Sequence, residues 1–258
     1  MPWFAVLLTL ALAQPAPRTV LAPTGTLRAS FIANNPVQGR VDAQSGVASG
    51  PAPDLVRELA RRLGVPFRVS PLSDASAVLD SVRNGTMDIG FLALEAERAS
   101  QVDFSDPYSN SGAAYAVRRD APFQASADVD RAGVTIAIVA GQSPGVYVRE
   151  HVTHARVDTL PTVPANGVIG AMLLDGTVQA FAANRTRVEE LARDVAGLRV
   201  LADDYMVTGQ AIVVRKGDAA RLIEVNRFLA DVRTSGFVKA SLEKAKVAGV
   251  RVAPEPAR

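Results

Sequence analysis

A single arginine, Arg98, stands in FLALEAERASQVDFSDPY (91–108), past an apolar strand-like run and before a turn-rich Asp-Phe-Ser-Asp-Pro-Tyr stretch. A guanidinium presents a fixed fork of donors that matches a carboxylate. Arg98 could therefore grip an anionic ligand; by position alone it could also be a solvated helix residue paired with Glu95 or Glu97. Other chemistries are thinly supplied. The chain has no cysteine, which excludes disulfides, a thiolate nucleophile, zinc–thiolate sites and a lipid anchor on a mature N-terminal Cys. Its two histidines, His151 and His154, are three apart in the loop-like HVTH. A metal site needs more ligands and a rigid element beneath them, so both read as surface residues, and neither metal nor cofactor is expected.

The elements around Arg98 alternate. TLRASFIA (26–33) alternates like a strand; Asp54 is expected to cap a helix with an apolar stripe of Leu55, Val56, Leu59, Ala60 and Leu63, stopped by Gly64 and Pro66. FRVS (67–70) reads as a strand, Ser76 opens a helix that ends at Asn84-Gly85, and MDIGFLA (87–93) reads as a buried strand. The pattern then restarts with strand VTIAIV (134–139), a loop AGQSPG, a helix with Pro144 in its first turn reaching His151, strand RVDTL (156–160), a helix through Val168 to Leu173, and a strand ending at Asn184. Strands alternating with helices predict βαβ units and mainly parallel sheets.

Two internal echoes support a duplicated build. VLDSVRNGTMDIGFLAL (78–94) and GAMLLDGTVQAFAAN (170–184) share a helix, an Asn-Gly-Thr or Asp-Gly-Thr stop, and a buried strand; AAYAVRRD (113–120) resembles QAIVVRKGD (210–218). One larger sheet is the alternative. Two helices, about 218–235 and 237–248, close the chain, and residues 251–258 read as a flexible tail.

At 258 residues, 48% hydrophobic and 21% charged, the chain suits two globular cores. The net charge is +2 with scattered basic residues, so no nucleic-acid partner is expected. Residues 1–13 are expected to form a secretory signal peptide: the apolar run Trp3–Leu12 is too short to span a bilayer and ends in Ala11-Leu12-Ala13, which predicts cleavage after Ala13 and a periplasmic location. No Lys or Arg precedes the run, so translation could begin upstream.

GRVDAQSGVASGPAPDLVRELARRLGV, VRNGTMDIGF, AERASQVDFSDPYSNSGAAYAVRRD, IAIVAGQSPGVYV and AIVVRKGD together resemble the family 3 extracellular solute-binding proteins, the periplasmic receptors of polar amino-acid ABC importers, from about Leu27 to about Val247. The resemblance implies an α/β, two-lobed, type II periplasmic-binding-protein (Venus flytrap) fold, each lobe a mixed, mainly parallel sheet flanked by helices. Lobe 1 would comprise 24–107 and 210–250, lobe 2 residues 113–204, and the hinge segments 108–112 and 205–209. The ligand would sit between the lobes and favour closure, since an anion touched by both sides stabilises the closed state.

The resemblance also assigns residues. Arg98, four positions before Val-Asp-Phe, falls on the arginine that holds the ligand α-carboxylate; Gly141-Gln142-Ser143 falls on a Gly-Thr-Thr whose backbone and hydroxyl donors meet the same group at a helix start. For Ser143 the alternative is plain helix capping. Elsewhere the sequence departs. Asn35 and Ala75 replace two aromatics that hold the ligand side chain, Ala93 replaces a carboxylate-binding Ser or Thr, Glu95 replaces a threonine, and Asn184 replaces the aspartate that pairs with the ammonium. An amide brings no charge, so a carboxylate ligand without a free α-amino group is expected: an organic acid, a modified amino acid or an aromatic acid. Glu95 is expected outside the cleft as a helix cap, and Arg185 could add a second cation or lie at the surface. The function implied is a monomeric, non-enzymatic receptor that delivers a small carboxylate to an inner-membrane ABC permease. The alternatives are a periplasmic enzyme of the cyclohexadienyl-dehydratase type, with Glu95 as acid, or a ligand-sensing partner of a signalling protein.

Overall fold

The computed structural model describes residues 16–33, 35–247 and 249–255. The expected signal peptide and its cleavage after Ala13 lie outside the described residues, as does Asn34. The chain opens with α1 (Pro17–Leu21) and β1 (Leu27–Ile32), then a small hairpin of β2 (Arg40–Val41) and β3 (Ala48–Ser49). There follow α2 (Pro51–Leu63), β4 (Phe67–Leu72), α3 (Ala75–Arg83), β5 (Ile89–Ala93), the short α4 (Ala96–Ala99), β6 (Val102–Phe104) and the long β7 (Ser109–Arg118). The second pass comprises β8 (Thr135–Val139), α5 (Ser143–His151), β9 (Arg156–Leu160), α6 (Asn166–Leu174), β10 (Ala180–Asn184), α7 (Arg185–Asp194) and β11 (Leu198–Val200). The chain returns through β12 (Met206–Arg215) to α8 (Ala219–Thr234), α9 (Phe237–Ala245) and β13 (Val250–Val252).

Topology explains the internal echoes. β1 lies between β4 and β5, all parallel, and β8 lies between β9 and β10, all parallel. The echoed helix-turn-strand segments are α3–β5 and α6–β10, which hold equivalent places in the two βαβαβ units. The other echoed pair lies in β7 and β12. Each of these long strands is shared: β12 pairs antiparallel with β5 and β6 over residues 210–215 and with β7 over 206–210, while β7 continues along β10 and β11. The ladder is therefore continuous, from β4 at one edge to β9 at the other.

The core is not continuous. Residues alternate across a strand, and β12 sends Ile212 and Val214 to a cluster with Phe31, Leu55, Phe91 and Phe228, but Val213 to one with Ile32, Val78 and Leu92. Likewise β7 sends Ala114 and Ala116 to a cluster with Ile169 and Phe181, and Tyr115 and Val117 to one with Ile136 and Ile138. Two clusters draw on residues 21–108 and 212–242 and two on residues 114–201, so each half of the continuous sheet is buried on both faces. Full burial of each such Leu, Ile or Phe contributes roughly 1.5–3 kcal/mol. Where the halves join, Gly112 leaves no space: a Cβ there would lie 2.3 Å from an Asp204 carboxylate oxygen.

Several sequence expectations are corrected. α2 begins at Pro51 behind Gly50, so Asp54 lies in its first turn rather than capping it; its carboxylate accepts from Ser241 Oγ at 2.8 Å and Arg57 at 2.6 Å. Ahead of β1, where no element was expected, lies α1, with Leu21 buried. α7 was not foreseen, although Val188, Leu191 and Ala192 carry helical spacing. The expected tail begins as structure: β13 pairs with Ser109–Ser111 of β7, and the N–H of buried Ala253 reaches Tyr108 O at 3.2 Å.

Candidate ligand cleft

The C-terminal ends of β5, β8 and β10 converge with the loop after β1, where α/β proteins commonly bind ligands. Arg98 lies on α4, one short loop beyond β5. Its guanidinium donates to Ala93 O at 3.1 Å on its own half and to Gly141 O at 3.0 Å on the other. The side chain is only 11% exposed. Burial lowers its pKa from the ordinary arginine value, and the Glu95 and Glu97 carboxylates oppose that shift. An arginine stays protonated in such a setting.

Glu95 is not outside. It occupies the position preceding α4 but makes no capping bond; its carboxylate instead pairs with Arg98 at 3.1 Å, and Oε1 is buried without a hydrogen-bond partner. Arg98 is thus paired with Glu95, as the second reading of the sequence allowed, but it is tucked between the halves rather than solvated.

Gly141 adopts φ 66°, the left-handed region that favours glycine, in the turn that carries the carbonyl bonded by Arg98. Gln142 precedes α5 without a side-chain cap, and its carbonyl accepts from the N–H groups of Gly145 and Val146. Ser143 is the first residue of α5, buried at 6% exposure, and does not cap the helix.

Next to this junction is a narrow, nearly closed cleft with a cavity volume of about 30 Å³. Asn35 and Pro36 line one side; Val139, Gln142, Pro144, Val163, Phe181–Asn184 and Arg187 line the other. Asn35 also performs turn chemistry, since its Oδ1 accepts from Val37 N–H at 3.1 Å. Asn184 ends β10 and precedes α7, with no capping bond from its side chain. A wider opening beyond Pro36, Val163 and Arg187 is spanned by an ion pair between Arg40 and Glu190.

The structure thus brings Asn35, Gln142 and Asn184 to one cleft and joins Arg98, Ala93 and Gly141 by hydrogen bonds at its margin. It does not bring Ala75 there: that residue packs beneath α3 with Ile32 and Val78. Arg185 is also elsewhere, bonded to Asp204 at 2.6 Å and to the carbonyls of Leu201 and Ala202. The cation in the cleft is Arg187, which sequence reasoning missed. Successive helical residues are about 100° apart, so 185 and 187 at the start of α7 point to nearly opposite sides. Arg187 donates to Asn166 Oδ1 and to Pro164 O at 2.7 Å, and its pKa is lowered chiefly by burial, against the pull of Glu190 and Asp194. His154 is exposed and His151 stacks on Tyr147 at the surface. Among the described residues no cluster of three metal-ligating side chains occurs, and no helix is long and apolar enough to cross a membrane.

A duplicated, doubly covered βαβαβ architecture with a cleft at the junction is that of a type II periplasmic binding protein. Residues 29–245 match the model of the bacterial extracellular solute-binding proteins, family 3, and the chain belongs to that family. It is 26% identical over 208 residues to the L-cystine-binding protein TcyJ of Escherichia coli (strain K12), covering 77% of this chain and 74% of that one. Over 151 residues it is 30% identical to the virulence sensor protein BvgS of Bordetella bronchiseptica, covering 58% of this chain but 11% of that much longer protein. The crystal structure of the ancestral amino acid-binding protein AncCDT-1, a precursor of cyclohexadienyl dehydratase, superposes with a TM-score of 0.74 at 23% identity, covering 89% of this chain and 99% of that one.

Proposed function

We propose that this protein is a periplasmic receptor of an ABC importer that binds a small carboxylate-bearing ligand between its halves and closes about the paired strands β7 and β12. The observation that carries this reading is the reach of Arg98 from one half to Gly141 O on the other. A ligand carboxylate entering there would accept charge-assisted hydrogen bonds from the guanidinium and meet the turn 141–143, contacting both halves at once. TcyJ binds an amino acid, which supports a small ligand with a carboxylate. Glu95 already balances the charge of Arg98 and Asn184 is neutral, so recognition of an α-ammonium at Asn184 is weak and acids without a free α-amino group fit best.

The test is thermal unfolding of the purified protein with a panel of small carboxylates. The expected result is a saturable rise in melting temperature, without product formation, that Arg98→Ala abolishes. Retained stabilisation in that variant overturns the assignment of Arg98. Turnover lost on Glu95→Gln would favour an enzyme instead. The likeness to BvgS supports a second reading, in which the same cleft reports its ligand to a signalling protein; co-purification with a permease or with a sensor kinase separates the two.

A further inference from the structure

Arg187, in the cleft, and Arg98, at its margin, differ in one respect. Arg98 has a counter-ion, Glu95, at 3.1 Å. Arg187 makes no ion pair among the described residues. Of its neighbouring acids, Glu190 is paired with Arg40, and Asp194 accepts from Asn166 Nδ2 at 2.5 Å. The guanidinium of Arg187 is held by two neutral acceptors, Asn166 Oδ1 and Pro164 O, and lies 6.0 Å from the centre of the Phe181 ring. Two of its five N–H donors are used in this way, which leaves three. A guanidinium withdrawn from water without a contacting counter-ion is costly, and an arriving anion reduces that cost.

The rest of the wall agrees. The inner cleft contains three carboxamides, from Asn35, Gln142 and Asn184, together with Arg187 and apolar groups, and no acidic residue lines it. Carboxamides can donate to an anion without cancelling its charge. Arg98 is balanced by Glu95 in direct contact, whereas Glu190 and Asp194 act on Arg187 only from beyond contact distance.

Resting on the carboxylate reading above, we propose that Arg187 is a specificity-determining residue that holds a second acidic group, so that the protein selects dicarboxylates over monocarboxylates of the same length. One carboxylate meets Arg98 and the turn at Gly141; the other meets Arg187 in the neighbouring cleft, which Gln142 and Asn184 also line.

The experiment is isothermal titration of the full chain with matched acids: succinate against butyrate, and glutarate against pentanoate. The expected result is a preference for the diacid of roughly tenfold or more, the size of one charge-assisted hydrogen bond. Arg187→Gln should abolish that preference. Arg187→Lys, which keeps the charge but not the fork, should retain part of it. The melting temperature of each unliganded variant controls for the lost tie to Pro164. Arg98→Ala should weaken all four acids. Binding of monoacids and diacids with equal affinity, or a preference that survives in Arg187→Gln, overturns this inference and leaves the carboxylate reading standing. Binding of none of the four overturns both.

Discussion

At the scale of the residue, the chemistry turns on which charges are already satisfied. Arg98 and Glu95 form a nearly buried pair, and removing one member of such a pair leaves the other charge uncompensated. A double-mutant cycle with Arg98→Ala and Glu95→Gln, read by chemical denaturation, should return a coupling energy of about 1 kcal/mol or more; additive effects would mean the pair is solvated. Arg98 was singled out in the sequence through the family resemblance alone, and its burial and its bonds to Ala93 O and Gly141 O come from the fold. Glu95 was not legible, because a carboxylate before a helix fits a cap and a buried pair equally well, and only the partner's position decides. Arg187 was invisible for a related reason: without α7 in view, nothing distinguished it from Arg185, which the fold spends on Asp204.

At the scale of the element, strands and helices with strong periodicity followed from the sequence almost to the residue. RVDTL and the helix from Ser143 to His151 are examples. Short or polar elements did not: β13 is three residues in a Gly- and Pro-rich segment, and its existence depends on the edge that β7 offers. α2 illustrates how local charge supports a helix. Glu58 accepts from Arg61 and Arg62 at 2.8 Å each, and these bonds hold its carboxyl at about 2, below its ordinary 4.5. A depressed carboxylate contributes stability above its unfolded pKa and loses it as the pH falls through the folded value. The stability gap between the protein and Glu58→Gln should therefore be constant above pH 5, shrink below about 4.5 and close near 2, as measured by urea unfolding across that range. A gap independent of pH would contradict the assignment.

At the scale of the whole molecule, duplication was legible from two short echoes, and they mark equivalent places in the two halves. The relation between the halves was not legible, since it depends on contacts between residues far apart in sequence. Two such contacts span the cleft: Arg98 with Gly141, and Arg40 with Glu190. The second is peripheral, with the Arg40 side chain 58% exposed, so its loss should cost little stability, within about 1 kcal/mol. Arg40→Ala should nevertheless enlarge the radius of gyration of the unliganded protein in small-angle scattering and speed ligand release. An unchanged scattering curve with unchanged release would show that this ion pair does not help to hold the cleft shut.

The join between the halves is a ladder, in register from Ser109 opposite Gln210 to Ala113 opposite Met206, with β13 along its other edge. Every backbone link that these rungs make is common property of both halves, so a fault here has no single side. The tightest point is Gly112, where Asp204 fills the space a side chain would need. Any larger residue at 112 would push that carboxylate aside and take from Arg185 the acceptor it holds at 2.6 Å, so a change in one strand would be felt at the start of a helix.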